Sequence, residues 1–140
     1  MNTESTTKNL VLYVDDDKDD IEIVREAFEP YQNIDLVTFS ESYAFLHYLI
    51  KDKTSPRIPS LMLIDINMPV LSGKELLTML RSYEHLKNVM TVLYTTSSFD
   101  SDQTFAKRLN ARFVTKPVER ERLNSTIQQL LRDCGILNGR

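Results

Sequence analysis

The chain of 140 residues, 41% hydrophobic and 26% charged, has the composition of one globular domain large enough to bury a core. Its formal net charge of −3 excludes a general electrostatic pull toward nucleic acid or an anionic membrane. A single cysteine, Cys134, excludes an internal disulfide and offers no metal-finger spacing, as suits a reducing cytosol. At the amino terminus, Met1 to Lys8 is polar and lacks the apolar segment of a signal peptide. No apolar stretch approaches the roughly 18 residues needed to cross a bilayer.

Strand-like and helix-like segments then alternate. Leu10–Val14 is a short, fully apolar run, as expected of a strand buried on both faces. Asp19 or Asp20 can cap the next helix, whose apolar positions Ile23, Val24, Ala27 and Phe28 recur at helical spacing until Pro30 stops it. Leu36–Phe39 is a second strand. Ser42 opens a helix over Tyr43–Lys51, with Phe45, Leu46, Leu49 and Ile50 as its apolar stripe. Thr54 to Pro59 is a loop, because Pro56 and Pro59 prevent regular structure. Leu61–Asp65 is the third strand, and after Ser72-Gly73 a helix carries Leu76, Leu77 and Leu80. Val89–Tyr94 is the fourth strand and Asp102–Leu109 a weaker helix. Phe113–Thr115 is the fifth strand, followed by a helix from Val118 to about Asp133 with Leu123, Ile127, Leu130 and Leu131 inward. Alternating strands and helices joined by short loops imply an α/β fold, a parallel sheet with helices on both faces.

Three strand ends carry chemistry. The first runs into Asp15-Asp16-Asp17, the third ends on Asp65, and the fifth runs into Lys116-Pro117. Open α/β sheets hold their ligands at the carboxyl ends of strands. Two sets of acids and one base there suit a divalent cation and a phosphoryl group better than they suit a core. With Thr95 or Thr96 after the fourth strand, and Asn67-Met68-Pro69 with Ser72-Gly73 after Asp65, the chain resembles the response regulator receiver domain of two-component signalling, in its stand-alone form. The resemblance runs from about Leu10 to Asp133 and rests on five motifs in order, each after a predicted strand. It implies a single-domain flavodoxin-like (βα)5 fold with strand order 2-1-3-4-5. The expected organisation is a polar tail at 1–9, a receiver domain at 10–134 and a short tail at 135–140, with no room for an output domain.

A small hard cation such as Mg²⁺ or Mn²⁺ takes oxygen ligands from one or two carboxylates, waters and substrate phosphate. Asp16 and Asp65 can supply direct carboxylate oxygens, with Asp15 acting through water. The register of the three acids is open by one, and the first two follow directly on the apolar run. Asn67 matches the family position whose backbone carbonyl completes the shell. Crowded acids can instead be helix caps and solvated charge, which is the better reading of Asp19 and Asp20. Three acids at one strand end repel unless a cation sits among them, which favours the metal reading of Asp16.

Asp65 is then the expected phosphoacceptor, a carboxylate nucleophile whose phosphoryl oxygens the cation and the Lys116 ammonium offset. A hydroxyl at Thr95, or at Thr96 by register, would bond the phosphoryl oxygen, and Ser97 or Ser98 can line the pocket. The resemblance makes Phe113 a switch aromatic, although a lone aromatic in a strand also serves as plain core. Asn110 stands where the family often has Gly; Asn tolerates the left-handed conformation that such a turn requires. The interval from the threonines to Lys116 is about one residue short, which leaves the choice of threonine open.

His47, His85, Lys8, Arg25 and the Glu119–Arg122 run carry no site pattern, although the mixed charges of that run suit a recognition surface. The resemblance implies phosphoryl transfer from a sensor histidine kinase or histidine phosphotransfer protein, and output through a protein–protein surface around Phe99–Lys107 and Phe113–Arg122. It implies no nucleic-acid, membrane or turnover-enzyme role; a homodimer is compatible with it. The alternative is a haloacid-dehalogenase-like phosphohydrolase, which wants a second aspartate where Asn67 stands. A flavin or nucleotide module is disfavoured, since none of the three glycines lies in the first strand-to-helix turn.

Overall fold

A computed structural model describes residues 8–51, 57–96 and 99–137. Its elements in chain order are β1 (Asn9–Val14), α1 (Lys18–Phe28), β2 (Ile34–Phe39), α2 (Ser42–Ile50), β3 (Leu61–Ile64), α3 (Gly73–Leu80), β4 (Thr91–Thr95), α4 (Asp100–Arg108), β5 (Arg112–Thr115) and α5 (Arg120–Asp133). All four strand pairings are parallel, in the order β2-β1-β3-β4-β5, which is the expected flavodoxin-like order. The central strands are buried along Leu10–Val14 of β1 and Leu61–Ile64 of β3 because both of their faces are covered.

Strand alternation divides the core into two layers. Leu12, Val14, Met62 and Ile64 face α2, α3 and α4, packing with Phe45, Leu49, Leu76, Leu77, Leu80 and Ala106. Val11, Tyr13, Leu61 and Leu63 face α1 and α5, packing with Val24, Phe28, Leu123, Ile127 and Leu131. Ser72 starts α3 with a reciprocal capping box to Glu75. Asn110 takes the left-handed conformation, φ 57°, at the turn into β5.

Several local expectations are corrected. Asp17 caps α1, accepting from the Asp19 and Asp20 amides, so neither Asp19 nor Asp20 is the cap. The buried stripe of α1 is Ile21, Val24 and Phe28; Ile23 faces outward. Strand β4 starts at Thr91, because Leu86 to Val89 is held in turns, and it runs on through Thr95. Helix α4 begins at Asp100. Helix α5 begins only at Arg120, since Lys116 precedes a proline and Glu119 is still extended at φ −92°, ψ 139°. Of the loop expected at Thr54–Pro59, Arg57 to Pro59 has no regular structure and the rest lies outside the described residues.

Candidate functional site

The three chemically marked strand ends are placed by the sheet. The ladder continues one residue past each strand: the Asp15 amide donates to the Phe39 carbonyl (3.0 Å), the Asp65 amide to Val14 (3.1 Å), and the Lys116 amide to Thr95 (2.7 Å). These side chains therefore leave from ordered backbone at the carboxyl edge of β1, β3 and β5. Gly73 is required beside them. A Cβ there would meet the Asp65 carbonyl oxygen at 2.1 Å, so only glycine lets α3 start this close to Asp65. Ser42, buried at the start of α2, donates to the Leu71 carbonyl (2.6 Å) and ties down the same loop.

Asp15, Asp16 and Asp65 bring carboxylate oxygens within 4.8 Å of one another. Asp15 and Asp65 are buried, and Asp16 is exposed. Asp17 is occupied as the helix cap, which leaves Asp15 and Asp16 as the pair facing Asp65. Both Asp15 oxygens are engaged. Oδ2 accepts from the Tyr13 hydroxyl (2.5 Å) and the Lys116 ammonium (2.7 Å), and Oδ1 from the Asp17 amide (2.9 Å). The Lys116 Nζ also donates to Asp20 Oδ2 at 2.7 Å and stands 3.6 Å from Asp65 Oδ1. It lies 5.7 Å from the Tyr94 ring centroid, and Tyr94 packs edge-on against Tyr13.

The electrostatics follow from this crowding. Burial first, and the Asp15 charge next, push Asp65 up to about 6, against the opposing pull of Lys116. Burial lowers Lys116, but its bonds to Asp15 and Asp20 and the surrounding carboxylates outweigh it, so the net shift is upward. Burial, then the bond to Asp15, raises Tyr13 far above an ordinary phenol, so it stays a neutral donor. The cluster thus holds more carboxylates than one lysine can balance. A donor set of three crowded oxygen acids, one exposed and ready to engage, fits a hard divalent cation.

Of the remaining candidates, Thr95 is buried at the end of β4 beside Lys116, whereas Thr96 is exposed. Ser97 and Ser98 lie outside the described residues. Asn67 is exposed on the loop two residues past Asp65. Phe113 is half-buried against the layer formed with α2, α3 and α4.

Two residues at the site escaped the sequence reading. Asp20 reads from the sequence as a cap, yet it binds Lys116. The signal was the phase of α1: with Val24 and Phe28 inward, Asp20 lies one helical turn earlier on the same face. Tyr13 was legible too, because residues two apart in a strand share a face, and Tyr13 stands two before Asp15.

A family model for the response regulator receiver domain matches residues 11–128, from β1 into α5. The chain belongs to the response regulator receiver family. The response regulator Rcp1 of Synechocystis is 31% identical over 121 residues, covering 83% of this chain and 82% of that relative. Among solved structures, the phosphorylated cyanobacterial phytochrome response regulator RcpA matches with a TM-score of 0.78 at 24% identity. The match covers 89% of this chain and 92% of that one, a likeness of fold. The Mn²⁺-bound form of Rcp1 matches with a TM-score of 0.77 at 26% identity and the same coverage. The receiver therefore takes its place in two-component signalling, and no helix among its described residues is long and apolar enough to cross a membrane.

Proposed function

We propose that this receiver accepts a phosphoryl group on Asp65 from a phosphohistidine donor, either a sensor histidine kinase or a histidine phosphotransfer protein. The observation that carries the reading is the buried Asp65 carboxylate, crowded by Asp15 and Asp16 and flanked by the Lys116 ammonium at 3.6 Å. An Asp65 oxygen forms the new P–O bond as the donor's P–N bond breaks, and the electron pair leaves with the donor imidazole. Lys116 then balances charge on the transferred phosphoryl oxygens. Thr95, next to Lys116 across the β4–β5 pair, is the hydroxyl assigned to bond them; Thr96 is the alternative.

Asp16 and Asp65 are the direct ligands we assign to Mg²⁺ or Mn²⁺, with the Asn67 backbone carbonyl. Asp15, both of whose oxygens are already engaged, takes part through water. When bound, such a cation supplies positive charge and orients the phosphoryl oxygens. The Mn²⁺-bound form of Rcp1 supports this assignment. We take the compartment to be the cytoplasm.

Output is assigned to a protein–protein surface formed by α4, β5 and α5, where Phe99 and Val118 are exposed apolar side chains. A phosphoryl group on Asp65 would favour one arrangement of Thr95, Lys116 and Phe113, and the adjoining surface would follow. The role is that of a phosphoryl acceptor and relay; against a haloacid-dehalogenase-like hydrolase stands Asn67, where that chemistry wants an aspartate. The test is intact mass after incubation with acetyl phosphate and Mg²⁺. One labile phosphoryl adduct that chelator prevents supports the reading. Continuous phosphate release without an adduct would favour the hydrolase.

A further inference from the structure

Lys116 spends its donors unevenly. An ammonium has three, and two point at Asp15 and Asp20 at 2.7 Å each, while Asp65 stands at 3.6 Å. The lysine therefore leans toward β1 and α1, away from the carboxylate where the phosphoryl group would arrive. Asp15 belongs to the acid cluster itself. Asp20 lies outside that cluster, on the first turn of α1, a helix fixed by its Asp17 cap and by the buried Ile21, Val24 and Phe28. It cannot follow the lysine without moving the helix. The lysine side chain is only 9% exposed and that of Asp20 28%, so the pair is partly sheltered from water.

We infer that Asp20 is a positioning residue that draws Lys116 back from Asp65, so that moving the lysine up to a phosphoryl group stretches or breaks its bond to Asp20. This rests on the reading of Asp65 as the phosphoacceptor. Asp20 then sets how readily the receiver passes to its phosphoryl-bound arrangement, without touching the phosphoryl group itself. The energetic logic is a population shift: contacts made only in the resting arrangement weaken every ligand that needs the other one. An asparagine at the position would keep an acceptor for the ammonium but remove the charge that makes the bond strong.

The test is affinity for beryllofluoride, a phosphoryl mimic, at saturating Mg²⁺, followed by NMR on the full chain. Asp20→Asn should bind the mimic about fivefold more tightly than the parent, the order expected when a charge-assisted bond is exchanged for a neutral one. Removing a negative charge could help an anion simply through space, so the same substitution is made in a Lys116→Met background. If Asp20 acts through Lys116, the gain there falls below about twofold, a non-additivity that a merely structural or long-range role would not produce. A parent that binds beryllofluoride with Asp20→Asn equal or weaker would overturn this inference alone. So would a gain that persists in the Lys116→Met background. A parent that binds no beryllofluoride would overturn the phosphoacceptor reading and this inference with it.

Discussion

Two partly buried cations sit at opposite ends of the β4–β5 edge, and their partners differ in kind. At the carboxyl end, Lys116 faces three carboxylates, Asp15, Asp20 and Asp65. At the amino end, Arg81 caps α3 and donates to four backbone carbonyls. They are Leu109 at 2.9 Å, Val89 and Asn110 at 3.2 Å, and Leu86 more loosely at 3.4 Å. Burial lowers Arg81, whereas the carboxylates raise Lys116. Carbonyls are fixed and neutral, so the Arg81 end is a staple between the turns that enter β4 and β5. Carboxylates carry charge, and another cation can take over as their partner. A cation among carboxylates marks an exchangeable site; one among carbonyls marks a joint.

Lys116→Met should cause the largest loss of stability, about 3 to 5 kcal/mol in metal-free protein, because it strands buried carboxylates without their counter-charge. Mg²⁺ should restore much of that loss in a denaturant titration. Arg81→Met should cost less, about 1 to 3 kcal/mol for the orphaned carbonyls, and Mg²⁺ should restore none of it. Equal responses of the two variants to Mg²⁺ would erase the distinction drawn between the two ends.

The exchangeable end was far more legible in the sequence than the staple. Asp65, Asp15, Asp16 and Lys116 each follow a short apolar run, and a buried parallel strand must deliver such residues to one edge. Arg81 carried no signal, because its partners are main-chain carbonyls up to 29 residues away, and a carbonyl has no sequence identity. Asp20 is masked by its chemistry: an acid at the start of a helix reads first as a cap, although Val24 and Phe28 place it on the inward side of α1. The choice between Thr95 and Thr96 depended on a strand boundary, and boundaries shift by a residue or two where turns compete. Val70, on the loop beyond Asp65, takes a positive φ of 71°, and nothing in Pro69-Val70-Leu71 signals it.

Asp65→Asn sharpens the comparison with an opposite sign. Folded, metal-free Asp65 holds its proton to about 6, against the ordinary 3.8, so the folded state binds that proton more tightly than the unfolded chain. Stability therefore declines as pH rises from about 4 to about 6 and levels off above. Asparagine escapes this. The variant's advantage over the parent should open across that window and reach about 2 to 3 kcal/mol at pH 7, less where Mg²⁺ is present. No advantage at pH 7 in chelator would mean that Asp65 is not electrostatically strained.

The smallest effect is expected at Val70, a β-branched residue at φ 71° and 88% exposed on the loop beyond Asp65. Val70→Gly should stabilise the fold by about 1 kcal/mol by relieving the left-handed strain, with Mg²⁺ affinity unchanged. A loss of stability would show that the valine side chain makes contacts outweighing its backbone.

The exchangeable end matters because the proposed phosphoryl transfer is directed there, to one carboxylate out of a crowded set. Intact-mass measurement of the parent and Asp65→Asn, each with acetyl phosphate and Mg²⁺, tests that most directly. A single labile phosphoryl adduct on the parent and none on a folded Asp65→Asn is the predicted result. An adduct of equal yield on both proteins would contradict it, and would move the acceptor to another residue.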